Sequence, residues 1–211
     1  MTQQPAVDTL RTEAAVRFLD TDFSECFAER RRFDSLIWEV TKFTFTAYSA
    51  MLAAAVGLYT FSLQQQVDLV PAAIALLSVG VVVGLFMLLL LVRTRVYFVI
   101  VTRYINEQRR HFLSDHPVGF ENQSMMLTDV DRPAFFSTRS THAWAALLVI
   151  ALNAALSSAL GFIGAPAGGR RGILAGVIFV VVGVAQAVVA VAYLRSRDGI
   201  SPSEAVFGRR R

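Results

Sequence analysis

The sequence predicts an all-α membrane protein: a four-span transmembrane helical bundle of two hairpins with cytoplasmic helical extensions. Three observations predict it. Four long runs, 43–63, 69–92, 143–164 and 172–194, contain no charged residue or histidine. Each matches the roughly 20 apolar residues that cross a hydrocarbon core about 30 Å thick. Charged residues make up 17% of the chain, against about 25% in soluble domains. The basic residues are also distributed unevenly between the segments that join the runs.

The N-terminal segment, 1–42, opens with acids (Asp8, Glu13, Asp20, Asp22) and lacks the apolar core of a secretory signal. From about Ser24 its apolar residues Phe23, Phe27, Phe33, Leu36, Ile37 and Val40 gather on one helical face. A helix there runs without a break into the first span. Trp38 stands at the depth of an interfacial anchor, beside the cluster Arg30, Arg31 and Arg32. Cys26 has no second cysteine to pair with and reads as a reduced structural thiol.

The first transmembrane hairpin, 43–92, turns at QQQVD and carries no basic residue in that turn. Arg93 and Arg95 end it, because each would cost about 2.5–3.5 kcal/mol near the bilayer centre. The helix itself has no reason to stop, since 93–113 contains neither Gly nor Pro. The spacing predicts one helix over 69–113. Tyr97, Val101, Tyr104, Ile105, Gln108 and Phe112 share its inward face, which packs against the N-terminal helix. The rest of the 93–142 segment, from about His116, is a polar connector with two prolines.

The second transmembrane hairpin, 143–194, turns at GAPAGGRR, and a basic tail follows at 195–211. His142 and Trp144 open it as interface anchors. The two segments 64–68 and 165–171 together hold two basic residues, and the other three segments hold 18. That asymmetry places both termini and the 93–142 segment in the cytoplasm. The basic residues are nineteen arginines and Lys42, the bias of a GC-rich bacterial genome, so the membrane is expected to be a bacterial inner membrane.

Function is constrained first by what the spans omit. Proton relays, ion-coupled carriers and voltage sensors place ionisable groups at membrane depth, and membrane hydrolases need a nucleophile, a carboxylate pair or metal ligands. The spans carry none of these. Their two strongly polar side chains, Asn153 and Gln186, lie at depths about 3 Å apart when counted at 1.5 Å per residue. An interhelical hydrogen bond is favoured over a polar pore lining, because an amide facing lipid needs a partner. Small residues mark packing faces: Gly80 with Gly84, Gly172 with Gly176, and the row Ser49, Ala53, Gly57. Packing within the chain and packing between protomers remain equal readings of them.

Outside the spans, Asp129 with Asp131 could bind a cation or exchange protons, and His111, Asp115 and His116 could hold a metal. Both sets read more simply as a solvated turn and a solvated helix end. No phosphate-binding glycine loop or hydrolase motif is present, and no cofactor is expected. The basic residues Arg30, Arg31, Arg32, Arg93 and Arg95, and Arg209 to Arg211, favour the anionic inner leaflet over nucleic acid as their partner.

The function expected is therefore non-enzymatic: an oligomeric sensor, scaffold or pore-type effector with a cytoplasmic protein partner. A small channel or carrier for a neutral solute, and a membrane enzyme with its site in 114–142, are the alternatives. The layout, a short-loop hairpin bearing long cytoplasmic helices, is similar to that of small membrane proteins of bacterial anti-phage systems. No motif carries that similarity.

Overall fold

The computed structural model describes residues 4–114, 128–166 and 168–198. They form four α-helices and no strand: α1 Gln4–Gln65, α2 Val70–Ser114, α3 Thr141–Gly164 and α4 Arg171–Arg195. All four are long and apolar enough to cross a membrane. The unbroken α2 matches the expected 69–113 helix within a residue at each end. By contrast, α1 begins some twenty residues before Ser24, its expected start. Pro5 suits a first helical turn, and no Gly or further Pro interrupts the chain before Gly57.

The chain divides into two compact units. One comprises Leu36–Val96 and Phe135–Arg211; the other comprises Met1–Ser35 and Tyr97–Ala134. The first unit holds the apolar parts of all four helices. One buried cluster joins Ile37 and Val40 of α1 to Leu88, Leu91 and Val92 of α2 and to Val149 and Ile150 of α3, with Ala187, Ala190 and Leu194 of α4 packed on it. A second cluster joins Tyr48 and Ala55 to Ala73 and Leu77 and to Leu156 and Ile163. The large apolar side chains left over point outward. Phe86 and Val189 are each 68% exposed, and Phe43, Val82, Val180 and Val188 keep them company. A water-soluble protein does not tolerate that much continuous apolar surface, whereas lipid does.

The glycine rows divide cleanly. A Cβ at Gly80 would press on Leu156 and Met51, and one at Gly84 would run into Tyr48 and Asn153. This row therefore packs α2 against α1 and α3 within the chain. Gly57, Gly172 and Gly176 meet nothing within 4 Å, so their rows face away from the rest of the chain. The short connections are tied down locally. Leu69 N donates to Ser62 Oγ, and Arg171 donates to Pro166 O and to the Tyr59 hydroxyl. Ser140 caps α3 by accepting from His142 N at 3.2 Å.

In the second unit, the sequence-predicted face of α2 is rotated. Of the predicted residues Ile105 and Gln108 are buried, as expected, whereas Tyr104 and Phe112 are exposed, and Val99, Thr102 and Asn106, which the prediction left out, are buried. The reason is that two partners share α2 here. Its contacts with α1 run from Phe33 stacked on Tyr97, through Arg109 over Phe23 and Phe27, to Asp22, which accepts from both Tyr104 and Gln108. On another face lies the segment 128–134. Asn106 Nδ2 donates to Asp129 O and Arg132 O, both at 2.8 Å, and Arg103 Nε donates to Pro133 O at 3.1 Å. A connector with no helix or strand of its own needs side chains to satisfy its carbonyls, and α2 supplies them.

The Asp22 bond, aided by some burial and by the carboxylate's charge, raises the Tyr104 phenol above its ordinary value. Its contribution to stability is complete below the unfolded phenol's pKa and is lost as alkali titrates the folded one.

Replacing Asn106 by Ala leaves two carbonyls without their donor and is expected to cost about 1–3 kcal/mol. The neighbouring exposed change Glu107→Ala is expected to stay within about 0.5 kcal/mol. Thermal unfolding of the detergent-extracted protein reads both, and equal effects would contradict the docked connector.

Candidate functional site

Every span contributes to one polar centre in the first unit. Asn153 of α3 is 0% exposed. Its Nδ2 donates to Gln186 Oε1 of α4 at 2.9 Å, and its Oδ1 accepts from the Tyr48 hydroxyl of α1 at 2.7 Å. The α2 helix makes room with Gly84, whose missing side chain leaves the space occupied by the Tyr48 hydroxyl and the Asn153 carbonyl oxygen. The expected Asn153–Gln186 pair is thus present, and Tyr48 is the member that sequence reasoning missed. A phenol within a span needs a partner, and that need was the available signal.

Ser158 of α3 adds a second link to α4 by donating to Ala175 O at 2.8 Å, whereas three further hydroxyls are satisfied by their own helices. Thr44 and Thr41 of α1 donate to Val40 O and Ile37 O, each at 2.7 Å, and Ser78 of α2 donates to Ile74 O at 2.8 Å. The centre is therefore a closed hydrogen-bonded joint. Its hydrogen bonds tie α1, α3 and α4 together, and α2 packs against them at Gly84.

A second feature lies at the Arg95 end of the same unit. A cavity of about 310 Å³ opens between α2, α3 and α4 and the segment 135–140. Leu91, Val92, Ile150, Ala187, Ala190 and Leu194 are among the residues that line it. Arg95 and His142 stand at its edge, and here the structure corrects the sequence reading. Arg95 was expected at a lipid or partner surface and His142 at the interface, but both are buried, at 6% and 7% exposure. Arg95 Nε donates to Phe135 O and its Nη1 to His142 Nδ1, each at 3.1 Å. A guanidinium has no acceptor, so Nδ1 is the unprotonated ring nitrogen. The arginine that ends the apolar run turns inward to hold the entry to α3, because the Phe135 carbonyl needs a donor there.

The other basic candidates are not gathered into a site. Arg93, Arg31 and Arg32 are exposed, Arg32 with Glu29 at 3.4 Å. The Arg30 guanidinium lies 5.7 Å from the centroid of the Phe98 ring. Trp38 is 48% exposed. Asp129 and Asp131 form a turn, with Asp131 N donating to Asp129 Oδ1 and Arg132 beside the other carboxylate oxygen. Asp115, His116 and Arg209 to Arg211 lie outside the described residues. Among the described residues no group of three His, Cys, Asp or Glu could hold a metal. Burial, reinforced by Asp22, Glu25 and Glu29, raises the Cys26 thiol above its usual range and keeps it protonated at neutral pH. Two buried amide oxygens, Asn106 Oδ1 and Gln108 Oε1, have no hydrogen-bond partner among the described residues.

No family model, curated protein or solved structure matches the chain.

Gly84→Ala forces a methyl group into the joint and is expected to lower stability by about 1–3 kcal/mol. Gly176→Ala, on the open row of α4, is expected to leave stability unchanged or raise it by about 0.5–1 kcal/mol. Unfolding in detergent discriminates them. Equal tolerance of both changes would mean that Gly84 does not abut Tyr48 and Asn153.

Proposed function

We propose that the chain is a non-enzymatic, multi-pass protein of the bacterial inner membrane that acts as an oligomeric sensor or scaffold for a cytoplasmic protein partner. The observation that carries this reading is the closed joint of Tyr48, Asn153 and Gln186. It supports the reading because the strongly polar side chains at this depth bond to one another across three helices. A conduit for a neutral solute would need those atoms to face the passage. Of the sensor, scaffold and pore readings, the first two fit a bundle that is locked at its centre.

The basic asymmetry favours both termini and the 93–142 segment on the cytoplasmic side. The first hairpin then carries the α1 and α2 extensions inside the cell, where the helical unit meets its partner. Arg30, Arg31, Arg32 and Arg93, with Trp38, suit the anionic inner leaflet. The open rows at Gly57 and at Gly172 with Gly176 support self-association, since small residues allow helices of separate protomers to approach closely. The setting in anti-phage defence rests on layout. A co-encoded nuclease or nucleotide-signalling enzyme among the neighbouring genes would support it.

Sidedness and conduction test the reading together. In a Cys26→Ala background, single cysteines at Gln65 and Gly168 should react with an impermeant maleimide on intact cells, and those at Asp131 and Asp198 should not. Vesicles bearing the purified protein should pass glycerol no faster than empty ones. Labelling at Asp131 would contradict the topology. Glycerol flux that falls in Asn153→Leu would contradict the sensor or scaffold reading and favour a carrier.

A further inference from the structure

The cavity beside Arg95 is neither part of the central joint nor needed by it. Its wall is almost wholly hydrocarbon, with Leu91, Val92 and Ile150 facing Ala187, Ala190 and Leu194. Its volume, about 310 Å³, is at the small end of ligand pockets, which begin near 300 Å³. Its hydrocarbon lining gains dispersion contacts when an apolar group enters. The two alanines on α4 keep it open, because a larger residue at either would occupy the space between α3 and α4.

The hydroxyl-bearing residues of the lining all come from one short segment. Ser137, Thr138 and Ser140 line the cavity there, in the segment that Arg95 holds by the Phe135 carbonyl. Phe136, also in the lining, lies under the guanidinium of Arg195, whose Cζ is 5.4 Å from the ring centroid. Arg195 itself is exposed at the last residue of α4. The site thus has a hydrocarbon body, hydroxyl groups along one segment and an exposed cation stacked on one of its lining rings. This polarity matches an anionic amphiphile entering tail first.

We propose that this cavity binds one acyl chain of an anionic membrane lipid, with the lipid phosphate held at Arg195 and the hydroxyls of Ser137 and Thr138. Arg95 is a positioning residue: it fixes the rim segment through Phe135 and His142 and is buried away from the headgroup. The inference rests on the reading of this end of the bundle as lying at the inner leaflet, where anionic lipids concentrate. Lipid occupancy would then be a signal that the protein can read, since α4 and the entry to α3 both contact the site.

The test uses the full chain in vesicles doped with a phosphatidylglycerol probe, or a phosphatidylcholine probe, carrying a diazirine on its acyl chain. Crosslinked peptides are mapped by mass spectrometry. The glycerol probe should label 135–150 and 187–194 in preference to the choline probe. Arg195→Gln should reduce glycerol-probe labelling by about fivefold, the effect of one cation near an anionic surface, and should leave choline-probe labelling unchanged. Ala190→Phe should abolish labelling there, while the outward-facing Val184→Phe should not. Millimolar inorganic phosphate should not compete; competition would indicate a free-anion site and overturn the acyl-chain assignment. Equal labelling by both probes, or unchanged labelling in Arg195→Gln, would also overturn it. If Ala190→Phe does not fold, Arg195→Gln decides alone. The maleimide sidedness experiment uses different residues, so a failed topology and a failed lipid site give separate signatures.

Discussion

A polar side chain buried among apolar helices must find its partner inside the protein, and Asn153 is where this chain meets that demand. Water is absent from the hydrocarbon region, so an unpaired amide there is costly. Asn153 satisfies one side of its amide on α4 and the other on α1. The approach is close enough that α2 must present Gly84 at the same place. One residue therefore sets the relative positions of all four spans. The apolar clusters above and below it supply packing, but packing in lipid is permissive because a lipid tail is as apolar as leucine. The hydrogen bonds are what select one register of the four helices over its neighbours.

The same logic acts at the end of the bundle. Arg95 is a cation in a low-exposure position, and it is tolerated because a main-chain carbonyl and a ring nitrogen accept from it. Farther along α2, Asn106 and Arg103 do the same for the segment 128–134. A single helix thus carries successive polar hands: a glycine that yields to Asn153, an arginine that holds the entry to α3, and an amide that holds the connector. The cavity beside Arg95 is a consequence, since the held segment stands off the alanines of α4 and leaves space between them.

Much of this was legible in the sequence. The four spans follow from charge-free length, which is a local property, and the continuity of α2 follows from the absence of Gly and Pro after Gly84. The pairing of Asn153 with Gln186 followed from depth alone, because two strongly polar groups in one hairpin at one level have few other partners. Tyr48 was not legible in the same way. It lies 105 residues from Asn153, and a hydropathy reading counts tyrosine with the apolar residues. Arg95 was misplaced because counting charges by segment says which side of the membrane a residue is near, not which face of its helix it occupies. The buried face beyond Arg95 was rotated for a related reason. Helical periodicity assumes apolar residues face inward, whereas Thr102 is buried with its hydroxyl on the Phe98 carbonyl of its own helix and Asn106 is buried against the carbonyls of the segment 128–134.

The central claim is that Tyr48, Asn153 and Gln186 act as one joint, and non-additivity tests it most directly. Asn153→Leu alone leaves the Tyr48 hydroxyl and the Gln186 amide without their partner and should cost about 0.6–2 kcal/mol for each lost bond. Adding Tyr48→Phe and Gln186→Leu removes the orphaned groups, so the triple variant should be at least as stable as the single one by equilibrium unfolding in detergent. Losses that accumulate with each substitution, as for independent sites, would contradict the joint.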